Sequence, residues 1–592
     1  MISCGWSWRA AVLVVALLGA EGLVRAQSPS SAISTTTNAS KSFVEGTEAL
    51  RRGDIAAART AFESAIRLNP RDAQARNALG LVLLAQNDTT AAAVQFTEAL
   101  RIKPAFLNAR LNLCNTLLQL RDIDGAVREA RSAVQIAPND ADANWALGRA
   151  LSAASKIPDA TTLLRRAVDL APKRAELRDD LGTLLVQQND PAGAATQFAE
   201  ALRLNPDLAS AHLHLGVLQF EQRQFESAEQ HLSRAHQLAP GNFIALNYLG
   251  RAYKEGGQLA PAIRAFQSSI EIRPDQPLIL DLLGQALQRS GDPVEAAEVF
   301  RKNLALQPEN AEAQNNLGLA LLQAGDGDGA IAAFRRALEI RPGNTGYQGN
   351  LGAAYLQKAD FAAAVSVFRA ALQQTPKTQS LHYNLGLTLK LQDKLSEAVE
   401  ELRAAEAIDP TQPDAPYTLG VTLWQMGDLD GSVDELQKAI RAKPDYAEAY
   451  YTLGTVLKQQ GKYPESAQAL REAIRLQPDF AGAHTTLAGV LRQLGDNDSS
   501  AAEAKLGAEL AKQKTDLQAA VFATNSGRRL RGMGNLDAAV SQFRAAIQSV
   551  PHYAPAHFEL AIALRQMGKQ EEAAEEFQKA AELDPKLVAP QP

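Results

Sequence analysis

The sequence predicts an all-α solenoid of about sixteen 34-residue helix-turn-helix units, and three observations predict it. Prolines fall at 70, 104, 138, 172, 206, 240, 274, 308, 342, 376, 410, 444 and 478, always 34 residues apart, and resume at Pro551 and Pro585 after one break. Other residue types recur at the same interval in a fixed phase. Within each interval the apolar positions have the i, i+3, i+4 spacing of two short amphipathic helices.

Ahead of the repeats, residues 1–26 have the order of a secretory signal peptide. A head ending in Arg9 precedes the apolar run AAVLVVALLGA and then small or apolar Val24 and Ala26, after which cleavage is expected. The run is short for a membrane span and Glu21 stands directly after it; retention as an anchor is the alternative. Export would place the mature chain in the periplasm or outside the cell, with no integral membrane segment left after cleavage. Residues 27–38, QSPSSAISTTTN, are Ser/Thr-rich without an apolar period and are expected to form a flexible spacer. Cys4 lies in the head, so Cys114 is left alone and no intrachain disulfide is expected.

Counting each unit so that proline is its position 32, the units run from Ala39 to Leu587. Position 7 is Leu in fourteen of sixteen, the exceptions being Glu45 and Ser526, and position 8 is Gly in thirteen, with Cys114, Ala488 and Ala561 as small substitutes. Position 20 is Ala or Ser, position 24 usually Phe or Leu, and position 27 mostly Ala. Small residues at 8, 20 and 27 let two helix axes approach closely. Polar or Gly residues at 14–16 break the first helix, and the proline stops the second. Each hairpin leaves apolar faces that only its neighbours can cover.

Leu and Gly at positions 7 and 8, Ala at 20, Phe at 24, Ala at 27 and Pro at 32 resemble the signature of the tetratricopeptide repeat family, over residues 39–587. The resemblance implies a right-handed superhelix whose concave groove is lined by the first helix of each unit, chiefly by positions 2, 5, 6, 9, 12 and 13. It also implies binding of proteins or peptides. The stretch GDGDG at 325–329, suggestive of a phosphate or calcium loop, then falls at the turn of unit 9, in phase with RDIDG (121–125) and GDLDG (427–431). Units 1–14 occupy 39–514 and units 15–16 occupy 520–587, with a five-residue tail at 588–592. Between them TDLQA at 515–519 is extra, Lys512 stands in place of the proline and Gly507 in place of the packing Ala. A joint is expected there, with a second helix that helix-favouring residues could lengthen.

Several chemistries have little support. With 60 basic and 66 acidic residues and a formal charge of −6, the chain has no general attraction to nucleic acid. Four histidines crowd unit 6 (His212, His214, His231, His236), but at positions 4, 6, 23 and 28 they face different ways, so no metal is expected. Cys114 replaces a packing Gly and is expected to be buried and inert. Sequons at Asn38, Asn87 and Asn497 matter only in a glycosylating host. O-linked N-acetylglucosamine transferases carry similar arrays before a catalytic region. Here the repeats fill 39–587, and neither enzymatic activity nor a cofactor is expected.

The candidate ligand surface is therefore the groove. Position 5 is Tyr383, Tyr417 and Tyr451 in three successive units; position 12, two turns on and on the same face, is Lys390, Trp424 and Lys458 in those units. Basic residues continue at position 12 with Arg492, Arg531 and Arg565, while position 6 supplies Asn316, Asn350 and Asn384. These asparagines resemble the row by which some family members hold a peptide backbone. Tyrosine at 5 and Asn at 6 also serve packing in the family, whereas a basic stripe on an acidic chain points to an acidic ligand. The family's carboxylate clamp needs Lys or Arg at positions 2, 5 and 6, where no unit has one. The expectation is an exported scaffold binding an extended peptide or partner protein, with a non-catalytic targeting or regulatory subunit of an envelope glycosyltransferase or protease as the alternative.

Overall fold

The computed structural model describes residues 33–587, so the expected signal peptide, most of the spacer and the tail lie outside the described residues. Among them are 31 α-helices and no strand, and none is long and apolar enough to cross a membrane. The first helix, Ile33–Arg51, takes in residues 33–38, which the sequence assigns to the spacer. The chain divides into two compact blocks, Met1–Ala320 and Leu321–Pro592, and each is described by itself.

Unit 2 shows how the sequence makes the hairpin. Its helices are Ala73–Ala85 and Thr89–Ile102. Between them Asn87 takes a left-handed conformation (φ 65°), and the same position is left-handed in every unit from Gly53 to Gly568. The next residue, Asp88, caps the second helix by accepting a hydrogen bond from the Ala91 N–H at 3.0 Å. In GDGDG these two roles fall to Gly325 (φ 85°) and Asp326, which accepts from the Gly329 N–H at 2.9 Å. The stretch is a turn and a cap. The second helix ends where the residue before proline leaves the helical region (Lys103, φ −130°, ψ 87°), as steric conflict with the proline ring favours.

Packing follows the small positions. Phe96 at position 24 is fully buried against Gly80 of the same hairpin, where a side chain would collide with its ring. Between hairpins, Ala211 at position 3 of unit 6 meets Ala175 and Ala201 of unit 5. Position 4 adds a polar tie across the same junction. His484, for example, places Nε2 2.9 Å from the Pro478 carbonyl and Nδ1 2.5 Å from Glu503. His557 does likewise with Pro551 and Glu576. Within each block the first helices of successive units touch, whereas second helices make no comparable approach, so the first helices form the inner, concave side.

The expected joint is a helix. Asn497–Gly532 runs 36 residues without interruption, joining the second helix of unit 14 to the first helix of unit 15. With Lys512 in place of proline, no missing N–H and no ring stop the hydrogen-bond ladder.

Candidate functional site

The four unit-6 histidines do not converge: three make separate contacts, and the fourth, His236, has a buried Nδ1 with no hydrogen-bond partner among the described residues. His212 and His231 pair Nδ1 to Nδ1 at 3.0 Å, and His214 meets Asp179 Oδ1 at 2.8 Å. No group of three or more His, Cys, Asp or Glu among the described residues has the arrangement of a metal site. Cys114 is fully buried, and burial pushes its thiol pKa up to about 12, which leaves it an inert packing residue.

The aromatic residues of the groove are half-buried and lean on neighbouring helices. Tyr383 packs on Leu402 and Leu419. The ring centroid of Tyr417 lies 4.9 Å from that of Tyr446, and that of Tyr451 lies 4.7 Å from that of Phe480. Burial, then the carboxylate of Asp414, raises the Tyr446 hydroxyl pKa. Trp424 donates from Nε1 to Gln459 Oε1 at 2.7 Å, one unit on. Each of these rings is thus partly committed to packing and partly open.

The cations of position 12 divide into two classes. Arg531 lies 2.9 Å from Glu559 Oε2, and the other oxygen of that nearly buried carboxylate takes Arg528 Nε at 2.8 Å. Arg565 stands over the Phe577 ring, 5.4 Å from its centroid. These two members of the expected stripe are therefore engaged within units 15–16. Lys390, Lys458 and Arg492, by contrast, have no acidic partner among the described residues. Lys390 is half-buried, and burial pushes its ammonium pKa below the usual lysine range. The Lys458 chain lies along the next first helix, with Nζ 3.4 Å from where a Gly489 side chain would begin. Arg492 is exposed.

The asparagines are not one uniform row. Asn316 donates to Asp281 Oδ1 at 3.0 Å, and Asn350 is also engaged; both Asn350 and Asn384 are half-buried in the second block. The sequence reading also missed a polar cluster on and beside the first helices of units 4–6. Trp145 Nε1 donates to Asp180 Oδ2 at 2.6 Å, with the Arg149 and Arg174 guanidiniums 5.4 and 5.1 Å from its ring centroid. Burial raises the Asp180 pKa, against the lowering effect of Arg149. Trp145, Asp179, Asp180 and His214 at positions 5 and 6 were its visible signal. Its members satisfy one another, which leaves the free cations of units 11, 13 and 14 as the more open surface.

Family models described as tetratricopeptide repeat match residues 43–105, 111–175, 180–243, 282–345, 417–479, 451–513 and 524–587. Further models of that description match 83–132, 220–286 and 321–386, and 379–412. A crystal structure of MamA is 26% identical over 28% of this chain and 96% of that chain, with a TM-score of 0.27. The APC/C hetero-tetramer Cut9-Hcn1 includes a chain 16% identical over 89% of this chain and 96% of its own, with a TM-score of 0.33. No curated protein matches the chain.

Proposed function

The chain belongs to the tetratricopeptide repeat family, and on that premise we propose that it is an exported, non-catalytic scaffold holding an extended acidic segment of a partner protein along the first helices of units 11–14. The observation that carries this reading is the contrast at position 12. Glu559 takes both Arg528 and Arg531, while Lys390, Lys458 and Arg492 have no carboxylate partner among the described residues. A half-buried ammonium with its pKa depressed is a site at which an incoming carboxylate restores lost charge stabilisation. Tyr383, Tyr417, Tyr451 and Trp424 supply flat apolar faces between the cations, suited to the side chains of an extended segment. Exposed ion pairs contribute little singly, about 0–1 kcal/mol each, so affinity requires several together and weakens as salt rises.

The test is capture from an envelope extract on the immobilised chain at low ionic strength, then elution by a salt gradient. The expected result is a partner with an acidic, extended segment that elutes as salt rises and binds again as a peptide of that segment alone. A partner held equally at high salt would overturn the charge-based reading. A stoichiometric glycosyltransferase or protease in the eluate would give the scaffold the role of that enzyme's targeting subunit.

A further inference from the structure

The long helix leaves two faces open that every other junction in the array closes. Position 3 is buried in each described unit that comes after another, from Ala75 and Leu177 to Ala483 and Ala556, with one exception: Phe522 of unit 15, 76% exposed. Elsewhere position 3 packs against position 27 of the unit before it, as Ala556 does with Ala546. In unit 15 the preceding second helix lies in line with the first, so nothing covers Phe522. The matching face of unit 14 is also open. There Ala504 and Ala508 are exposed at positions 24 and 28, where other units bury residues such as Phe96 and Leu100. Bulk is thus exchanged across this junction: a large side chain at position 3 faces small ones at positions 24 and 28.

These surfaces cannot meet within one chain, because Phe522 stands about 21 Å along the helix from Ala508 and about 27 Å from Ala504. We propose that the helix Asn497–Gly532 pairs antiparallel with the same helix of a second copy, so that Phe522 of each chain enters the alanine-lined gap of the other. Unit 15 of one copy then stacks on unit 14 of its partner, replacing in trans the contact that the uninterrupted helix prevents in cis. Placing position 3 opposite position 27, as in the other units, puts the two-fold axis beside residues 514 and 515. The contact is reciprocal and closed, which favours a dimer over a filament.

Charge fits the same register. Lys512 and Asp516 lie one turn apart on one flank of the helix, and neither has an ion-pair partner among the described residues. Antiparallel pairing about residues 514 and 515 brings Lys512 of each copy within one residue of Asp516 of the other, twice by symmetry. Arg529, exposed at a position that is small and buried in most other units, reaches the partner's first turn, which carries Asp498. That explains a charge on a face that would otherwise have to stack on an apolar unit.

The test is sedimentation equilibrium of the purified full chain, with cross-linking of a Thr515→Cys variant by a short bis-maleimide. The native chain should sediment as a dimer at micromolar concentration, and Thr515→Cys should cross-link chain to chain while the buried Cys114 does not react. Phe522→Glu should sediment as a monomer with unchanged helical content, since Phe522 is 76% exposed in the single chain. Lys512→Asp should weaken association about tenfold, and adding Asp516→Lys should restore it. A monomeric native chain, or a dimer that persists in Phe522→Glu and fails to cross-link through position 515, would overturn the proposal.

Discussion

A Cβ on Gly80 would stand 2.5 Å from Cε1 of Phe96, so the absence of a side chain at position 8 is what admits the largest core residue of that hairpin. Gly80→Ala forces the ring off its rotamer or the helices apart, and we expect a loss of roughly 1–3 kcal/mol, the usual cost of overpacking a core. Gly241→Ala, where nothing lies within 4 Å, serves as the control and should change stability little. Hydrogen exchange in unit 2, compared between the two variants, reads the difference; equal protection would refute the packing role of position 8.

His214 gives units 5–6 a pH dependence. Burial opposes its charge, but the hydrogen bond and charge of Asp179 outweigh it, and its pKa is raised above 6.5. Folding therefore favours the protonated ring: the stabilisation is complete below pH 6.5 and disappears as pH rises through the raised value. Asp180, raised by burial, adds a loss of the same sign that begins above pH 3.8. Local exchange of residues 175–220 should quicken across the neutral window, once the intrinsic rate is removed. His214→Gln should abolish that neutral step and retain the acid one.

Lys512→Pro restores the residue that ends the second helix in the other units. It removes an interior N–H and clashes with the preceding turn, at a cost of about 3 kcal/mol or more. Amides flanking residue 512 should lose protection while those of units 10–13 keep theirs. Unchanged protection would mean that the helix is already broken there.

Arg531→Ala should behave differently from changes at the free cations. It deprives the nearly buried Glu559 of one of its two guanidiniums, and we expect units 15–16 to lose about 1–3 kcal/mol. Partner affinity should stay the same. Weakened binding with unaltered stability would return Arg531 to the ligand surface.

The fold was legible in the sequence because a 34-residue period gives each unit the same neighbours, and Leu at 7, Gly at 8 and Pro at 32 answer to those neighbours alike. The left-handed turn residue was less visible: Asn87, Arg121, Ser155 and Ala359 adopt it as the glycines do, although it costs a residue with a Cβ more, because the flanking helices impose the conformation. At the joint, Lys512 was a clear signal that the second helix need not stop, but not that it would run unbroken into the next unit. The groove cations were legible as a stripe but not in their engagement. Whether Arg531 or Lys458 meets a carboxylate depends on a residue about 28–31 positions away on the next unit, as with Glu559, and no spacing within one unit encodes it.

If the unpaired cations of units 11, 13 and 14 hold an acidic segment, replacing Lys390, Lys458 and Arg492 together with Ala should remove that hold. Partner affinity is measured by titration calorimetry beside the helical content of the same sample. None of the three makes an ion pair among the described residues, so the variant should fold with unchanged helicity. Its affinity for the captured partner should fall about tenfold or more, and most of its salt dependence should disappear. A folded triple variant that binds with native affinity and native salt dependence would show that these cations do not hold the partner.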